Sequence, residues 1–192
     1  MNASLAWIRE IENRREDLIT LRRDLHRYPE LSFQEQRSAE VVAHHLRNAG
    51  LDVRGGVANT GVVAVLRGEK PGRTIAWRAD MDALPLVEKS GAPFASVNPG
   101  VMHACGHDGH TAIAIMLAEI LTARRSDLAG TAVFIFQPAE EVGGGAWAML
   151  DAGVLENPPV DAVFGLHLVT KLPVGHIALR AGPVLAAADY FT

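Results

Sequence analysis

Apolar positions recur at helical spacing along the first part of the chain. From Ser4 to about Arg27, Ile8, Ile11, Leu18, Leu21 and Leu25 stand three, four or seven residues apart with charges between them. That pattern predicts one helix with a single buried stripe, ended by Pro29. A second helix is predicted from about Gln34 to Ala49, with Val41, Val42 and Leu46 inward and Gly50 as the stop signal. The pattern then shortens. Val62–Leu66 and Thr74–Trp77 are apolar runs bounded by Gly, Pro and charge, and read as strands. Thr111–Ala123 is long enough for a helix. Thr131–Phe136 is continuously apolar, as expected of a strand buried on both faces. Gly145–Leu150 reads as a short helix and Ala162–Leu168 as another buried strand. Helices and strands in alternation predict an α/β fold, with a largely parallel sheet flanked by helices. Beyond Lys171, the strand-like segments His176–Arg180 and Val184–Phe191 follow one another without a helix, and the sequence stops at Thr192 inside an apolar run.

Composition narrows the class. The chain has 192 residues, 48% of them apolar and 21% charged, which suits a folded domain rather than a disordered one. A formal net charge of -4 offers no basic surface for nucleic acid or anionic lipid, so neither partner is expected. The single cysteine, Cys105, excludes an intrachain disulfide framework and points to a reducing compartment. The charged N-terminal segment has no signal-peptide core, and no apolar stretch approaches the roughly 20 residues of a membrane span. A cytoplasmic protein is the expectation.

Candidate chemistry gathers where ligands bind in open α/β sheets, at the carboxyl ends of the strands. The strand at Thr74 leads into Asp80 and Asp82. The strand at Thr131 leads into Glu140 and Glu141, and the one at Ala162 carries His167. The loop before the Thr111 helix holds His103, Cys105, His107 and His110. Thiolate, imidazole and carboxylate are the donors that borderline divalent metals prefer. A helix-capping loop with incidental histidines is the plain alternative for residues 102–111, and a nucleophilic Cys105 paired with a histidine is another. The nucleophile would leave the downstream carboxylate pair without a task. A Glu-Glu pair alone is usually a solvated turn, but here it lies between a buried strand and Gly143-Gly144-Gly145, where backbone can approach a ligand. One glutamate ligating metal while the other handles protons is then a natural division. His167, among Phe164, Leu166 and Leu168, could instead be a satisfied core histidine. Asp80 and Asp82 suit supporting or helix-entry roles beside a ligand, with a ligand role of their own as the alternative. His26, His44, His45 and His176 read as structural.

Four motifs in order, Arg78–Pro85 (RADMDALP), Met102–Thr111 (MHACGHDGHT), Phe136–Glu141 (FQPAEE) and Gly165–His167 (GLH), together with Leu21–Phe33, closely resemble a group of metal-dependent amidohydrolases. That group includes hippurate hydrolase, bacterial N-acyl-amino-acid amidohydrolases and plant auxin–amino-acid conjugate hydrolases, within the wider aminoacylase/carboxypeptidase metallopeptidase family. The resemblance implies a zinc-peptidase-like catalytic domain holding two divalent metal ions, interrupted by a smaller covering domain that dimerises. By motif, Cys105, His107, Glu141 and His167 would be metal ligands. Glu140 would be the general base, drawing a proton from a metal-bridging water that attacks the amide of a small N-acyl amino acid. Manganese or zinc would serve, with nickel or cobalt possible. Where the wider family usually has a metal-binding histidine two residues before an aspartate, this chain has Arg78 and then Asp80. Arginine cannot ligate, so Cys105 would substitute and the role of Asp80 is open.

Members of that group run well past this length. Residues 1–180 would be the N-terminal part of the catalytic domain and residues 181–192 the start of the covering domain. Homo-oligomers would form through that second domain. The 192-residue chain alone is expected to be inactive or nearly so, and poorly soluble. Two other functions compete: a dinuclear peptidase or deacetylase for another acyl-amine, and a non-catalytic metal-binding fragment. A zinc deaminase is excluded, since its signature needs a Cys-x-x-Cys.

Overall fold

The computed structural model describes residues 3–184. Its elements run α1 (Ala3–Asn13), α2 (Arg15–Arg27), α3 (Gln36–Asn48), β1 (Asp52–Val57), β2 (Gly61–Arg67), β3 (Lys70–Asp80), α4 (His107–Ala123), β4 (Ala129–Gln137), α5 (Gly145–Asp151) and β5 (Ala162–Gly165). The strands form one sheet in the order β1-β2-β4-β3-β5.

β4 is the sheet's spine because both its faces are apolar. Phe134 and Phe136 point into the larger core, where α2, α3 and α4 contribute Leu21, Leu25, Val42, Leu46 and Ile115. Val133 and Ile135 point the other way, to Met149 of α5 and to Val154. This period-two alternation inside a continuous apolar run is what a two-sided buried strand requires. β3 and β5 run parallel to β4, as expected, whereas β1 and β2 join antiparallel. The sheet is therefore mixed, and its parallel part, β4-β3-β5, is the part that ends in the candidate residues.

Several boundaries differ from the sequence reading. The helix expected over Ser4–Arg27 is two, separated at Arg14, whose guanidinium bonds Asp17 (2.8 Å) and Glu119 (2.6 Å). Ile8 and Ile11 are each 51% exposed, so the inward stripe holds only over α2. β1 was not expected, its Gly55-Gly56 pair concealing the strand pattern. The helix expected from Thr111 begins at His107, because Gly106 turns the chain with a left-handed φ of 89° just before it. β5 is shorter than the Ala162–Leu168 strand expected, and it is an exposed edge rather than buried, with Phe164 55% exposed. His176–Arg180 forms no strand, and the Val184–Phe191 segment lies, past Val184, outside the described residues. No helix among the described residues is long and apolar enough to cross a membrane.

The chain leaves β3 toward α4 on one face of the sheet and leaves β4 toward α5 on the other. The carboxyl ends of these neighbouring strands, with Asp80 opposite Gln137, are therefore where the chain parts and a crevice opens.

Candidate metal centre

Three loops and one helix end meet at this crevice. The loop after β3 brings Asp80 and Asp82, and the loop after β4 brings Glu140 and Glu141. The first turn of α4 brings His107 and His110, three residues apart on one face. The segment after β5 brings His167, two residues past the strand end. Cys105 precedes α4.

His107 lies at the centre. Donor atoms of Cys105, His107 and His167 lie within 4.8 Å of one another, as do those of His107, Glu140 and Glu141. The two triads share His107, so the structure brings together all five residues singled out in the sequence. The Cys105 Sγ is 3.4 Å from His167 Nε2. His107 Nε2 is 3.8 Å from Glu141 Oε1 and 3.9 Å from Glu140 Oε2.

Both candidate imidazoles are turned the same way. The His107 Nδ1–H donates to the Asp82 carbonyl oxygen at 2.9 Å, and the His167 Nδ1–H donates to the Leu168 carbonyl at 2.8 Å. Each Nε2 lone pair is left toward the crevice, the tautomer a metal-binding histidine needs. Two buried atoms there, His107 Nε2 and Glu141 Oε1, have no hydrogen-bond partner. Buried polar groups without partners are costly, and one cation among these atoms would satisfy both. The residues present thus fit a divalent ion by chemistry and by orphaned donors.

Charge points the same way. The Cys105 thiol is pushed up to about 12, first by burial and then by the Glu141, Glu140 and Asp80 carboxylates around it. Burial and these carboxylates disfavour the free thiolate, the reactive form a nucleophilic Cys105 would need. Burial tends to lower His107, but the Asp82 bond and the Asp80, Asp82 and Glu141 charges outweigh it and raise its pKa. Burial and then the neighbouring Glu140 raise Glu141 as well, though the His107 charge opposes them. Acidic groups crowd this point, the electrostatic setting in which a bound cation's charge would be stabilised.

Asp80, whose role the sequence left open, is fully engaged. Its Oδ1 accepts the His110 Nδ1–H at 2.6 Å and its Oδ2 meets Arg78 Nη1 at 2.7 Å. Burial works to raise this carboxyl, but the His110 bond and the Arg78 charge overcome it and hold it at about 2. His110 in turn accepts the Leu168 N–H on Nε2, at 2.9 Å. With both ring nitrogens used, His110 is a clamp between the end of β3 and the residue after His167. Sequence reading counted His110 in the cluster but gave it no task. Its spacing from His107 was the available signal. Asp82 supports from below: its Oδ2 accepts the Ser32 hydroxyl (2.7 Å) and the Glu141 N–H (3.0 Å).

Fold and donor set define an α/β domain whose crevice suits a divalent metal. The chain belongs to peptidase family M20/M25/M40, whose sequence model matches residues 76–188. It is 47% identical over 184 residues to an N-acyl-L-amino acid amidohydrolase of Geobacillus stearothermophilus, covering 95% of this chain and 49% of that protein. It is 48% identical to an N-acetylcysteine deacetylase of Bacillus subtilis, covering 91% of this chain and 46% of the relative. Among solved structures, the Bacillus subtilis YXEP protein, described as a dinuclear metal binding peptidase from the M20 family, superposes with a TM-score of 0.84 at 48% identity, over 88% of this chain and 46% of that one. The chain spans about half the length of the curated relatives it matches.

Proposed function

We propose that this chain supplies the metal centre and general base of a hydrolase that splits the amide bond of N-acyl amino acids. The observation that carries the reading is His107, whose buried, unpartnered Nε2 is common to the thiol-imidazole triad and the carboxylate triad. Cys105, His107, Glu141 and His167 would hold two divalent ions. A thiolate, imidazoles and a carboxylate suit zinc, and manganese, nickel or cobalt are compatible. Such ions, when bound, acidify water and polarise an acyl oxygen.

The chain's own residues divide the remaining work. Glu141, 20% exposed and set beside the thiol, is held as a ligand by the Asp82 bond to its N–H. Glu140 is more open, with 41% of its side chain exposed. It can take a proton from the attacking water on a carboxylate oxygen and hand it to the departing amine nitrogen. Asp80, Asp82 and His110 orient the imidazoles without binding metal. The substrate class follows the relatives, an N-acyl-L-amino acid amidohydrolase and an N-acetylcysteine deacetylase. Residues 1–180 are assigned to the catalytic domain and residues 181–192 to the start of a covering domain.

The test joins residues 1–180 to the remaining length of the Geobacillus relative and assays hippurate and N-acetyl amino acids. The chimera is expected to turn over, and the 192-residue chain alone far less. Glu140→Gln in the chimera should lower kcat by about 10²–10⁴-fold, the usual worth of a general base, with metal content unchanged. Glu141→Gln should lose metal. Full turnover by the Glu140→Gln chimera would remove the base from the mechanism.

A further inference from the structure

Among the described residues, the non-glycine positions with a left-handed backbone are Phe33 (φ 61°), Ala58 (51°), Asn59 (81°) and Ala139 (51°). Ala58 directly precedes Asn59, and Phe33, Asn59 and Ala139 belong to one knot. At its centre is Glu35, on the turn before α3 and 0% exposed. Glu35 Oε1 accepts the Phe33 N–H at 3.0 Å and the Ala139 N–H at 2.9 Å, while Oε2 accepts the Thr60 hydroxyl at 2.5 Å. Asn59 closes the ring, its Nδ2 donating to the Phe33 carbonyl at 2.8 Å. Three turns far apart in sequence therefore share one carboxyl group.

Left-handed backbone is unfavourable for a residue with a Cβ, and it persists only where the surroundings over-determine it. The packing here is tight. A Cβ on Gly61 would lie 3.1 Å from Pro138 Cδ, and one on Gly144 would lie 3.4 Å from the Phe33 ring. An apolar side chain could fill the space of Glu35 without the cost of burying a carboxyl. What it could not do is hold the Ala139 N–H, and Ala139 directly precedes Glu140. With Ala139 so turned, the Glu141 N–H reaches Asp82 Oδ2 at 3.0 Å and Glu141 Oε1 comes to 3.8 Å from His107 Nε2.

We propose that Glu35 is a positioning residue of the metal centre, a buried carboxyl that fixes through the Ala139 N–H the turn presenting Glu140 and Glu141. The proposal rests on the reading of Glu141 as a ligand. Glutamine at position 35 can keep both bonds to Oε1, and the Thr60 hydroxyl can reverse to accept from the amide. Leucine fills similar volume but accepts nothing.

The experiment titrates cobalt(II) into the full 192-residue chain and its variants. Thiolate-to-cobalt absorption from Cys105 reports binding, and far-ultraviolet circular dichroism reports folding. Glu35→Gln should bind cobalt as the parent does. Glu35→Leu, with a native dichroism spectrum, should bind about 10–100-fold more weakly, the usual effect of removing a group that orients a ligand. Should Glu35→Leu fail to fold, Glu35→Asp, one methylene shorter, withdraws the carboxyl from Ala139 and should show the same loss. A folded Glu35→Leu or Glu35→Asp with parental affinity overturns the proposal, as does a Glu35→Gln that binds as poorly as leucine. Glu141→Gln separates the two levels. If it weakens binding while folded position-35 variants do not, only the Glu35 proposal falls. If it binds cobalt like the parent, the ligand reading falls and takes Glu35 with it.

Discussion

His26 lies beneath the first turn of α4 with carboxylates on both ring nitrogens. Its Nδ1 is 2.7 Å from Asp108 Oδ2 and its Nε2 is 3.2 Å from Glu88 Oε1, with Arg22 Nε also 2.8 Å from Asp108. The Asp108 bond, foremost, raises the His26 pKa above its ordinary 6.5, against the effect of burial. A proton bound more tightly in the folded chain stabilises it fully below pH 6.5, and that contribution is lost as pH climbs through the raised value. For Asp108, burial pushes upward, but the His26 bond and the His103 and Arg22 charges prevail and lower it below 3.8. Its contribution is present above pH 3.8 and is lost as pH falls through the lowered value. The pair therefore stabilises the metal-free chain most around pH 4–6. His26→Gln, measured by urea unfolding at pH 6, should cost about 3 kcal/mol, the low end for breaking a buried pair because Arg22 stays on Asp108. The difference should shrink toward pH 9. A cost that does not change with pH would contradict the charged pair.

At the scale of elements, the loop from β4 to α5 depends on a glycine for space and on another for conformation. A Cβ on Gly145 would sit 1.6 Å from the Pro138 carbonyl oxygen, so the Pro138–Ala139 peptide beside Glu140 would have to move. Gly143, at φ 72°, has nothing within 4 Å of such a Cβ. Gly143→Ala should cost only the left-handed penalty of about 1–2 kcal/mol and leave zinc affinity intact. Gly145→Ala should cost about 3 kcal/mol, the top of the overpacking range, and weaken zinc binding. Equal effects of the two in denaturation and zinc titration would refute the assigned geometry. Elements with internally consistent patterns were legible beforehand. The Thr131–Phe136 run became β4 because its sequence satisfies both faces by itself. The break at Arg14 was not legible, since one partner, Glu119, is 105 residues away. β1 lacked a signal because two adjacent glycines remove its alternation. β5 misled because an apolar run reads as buried whichever side of the sheet is left open.

Across the whole molecule, the parting of the chain after β3 and β4 opens the crevice, and the strand ends fill it with donors. The candidates could be picked from sequence because thiol, imidazole and carboxylate are rare in such density. The supporting groups could not, since His110 reaches Leu168 across 58 residues and Glu35 reaches Ala139 across 104. The central claim is that Cys105, His107, Glu141 and His167 surround a common point suited to a divalent cation. X-ray absorption at the zinc edge of the zinc-loaded chain tests it most directly. The expected spectrum has a single sulfur neighbour at about 2.3 Å beside nitrogen and oxygen neighbours at about 2.0–2.2 Å. A shell of nitrogen and oxygen alone, unchanged by Cys105→Ser, would contradict it.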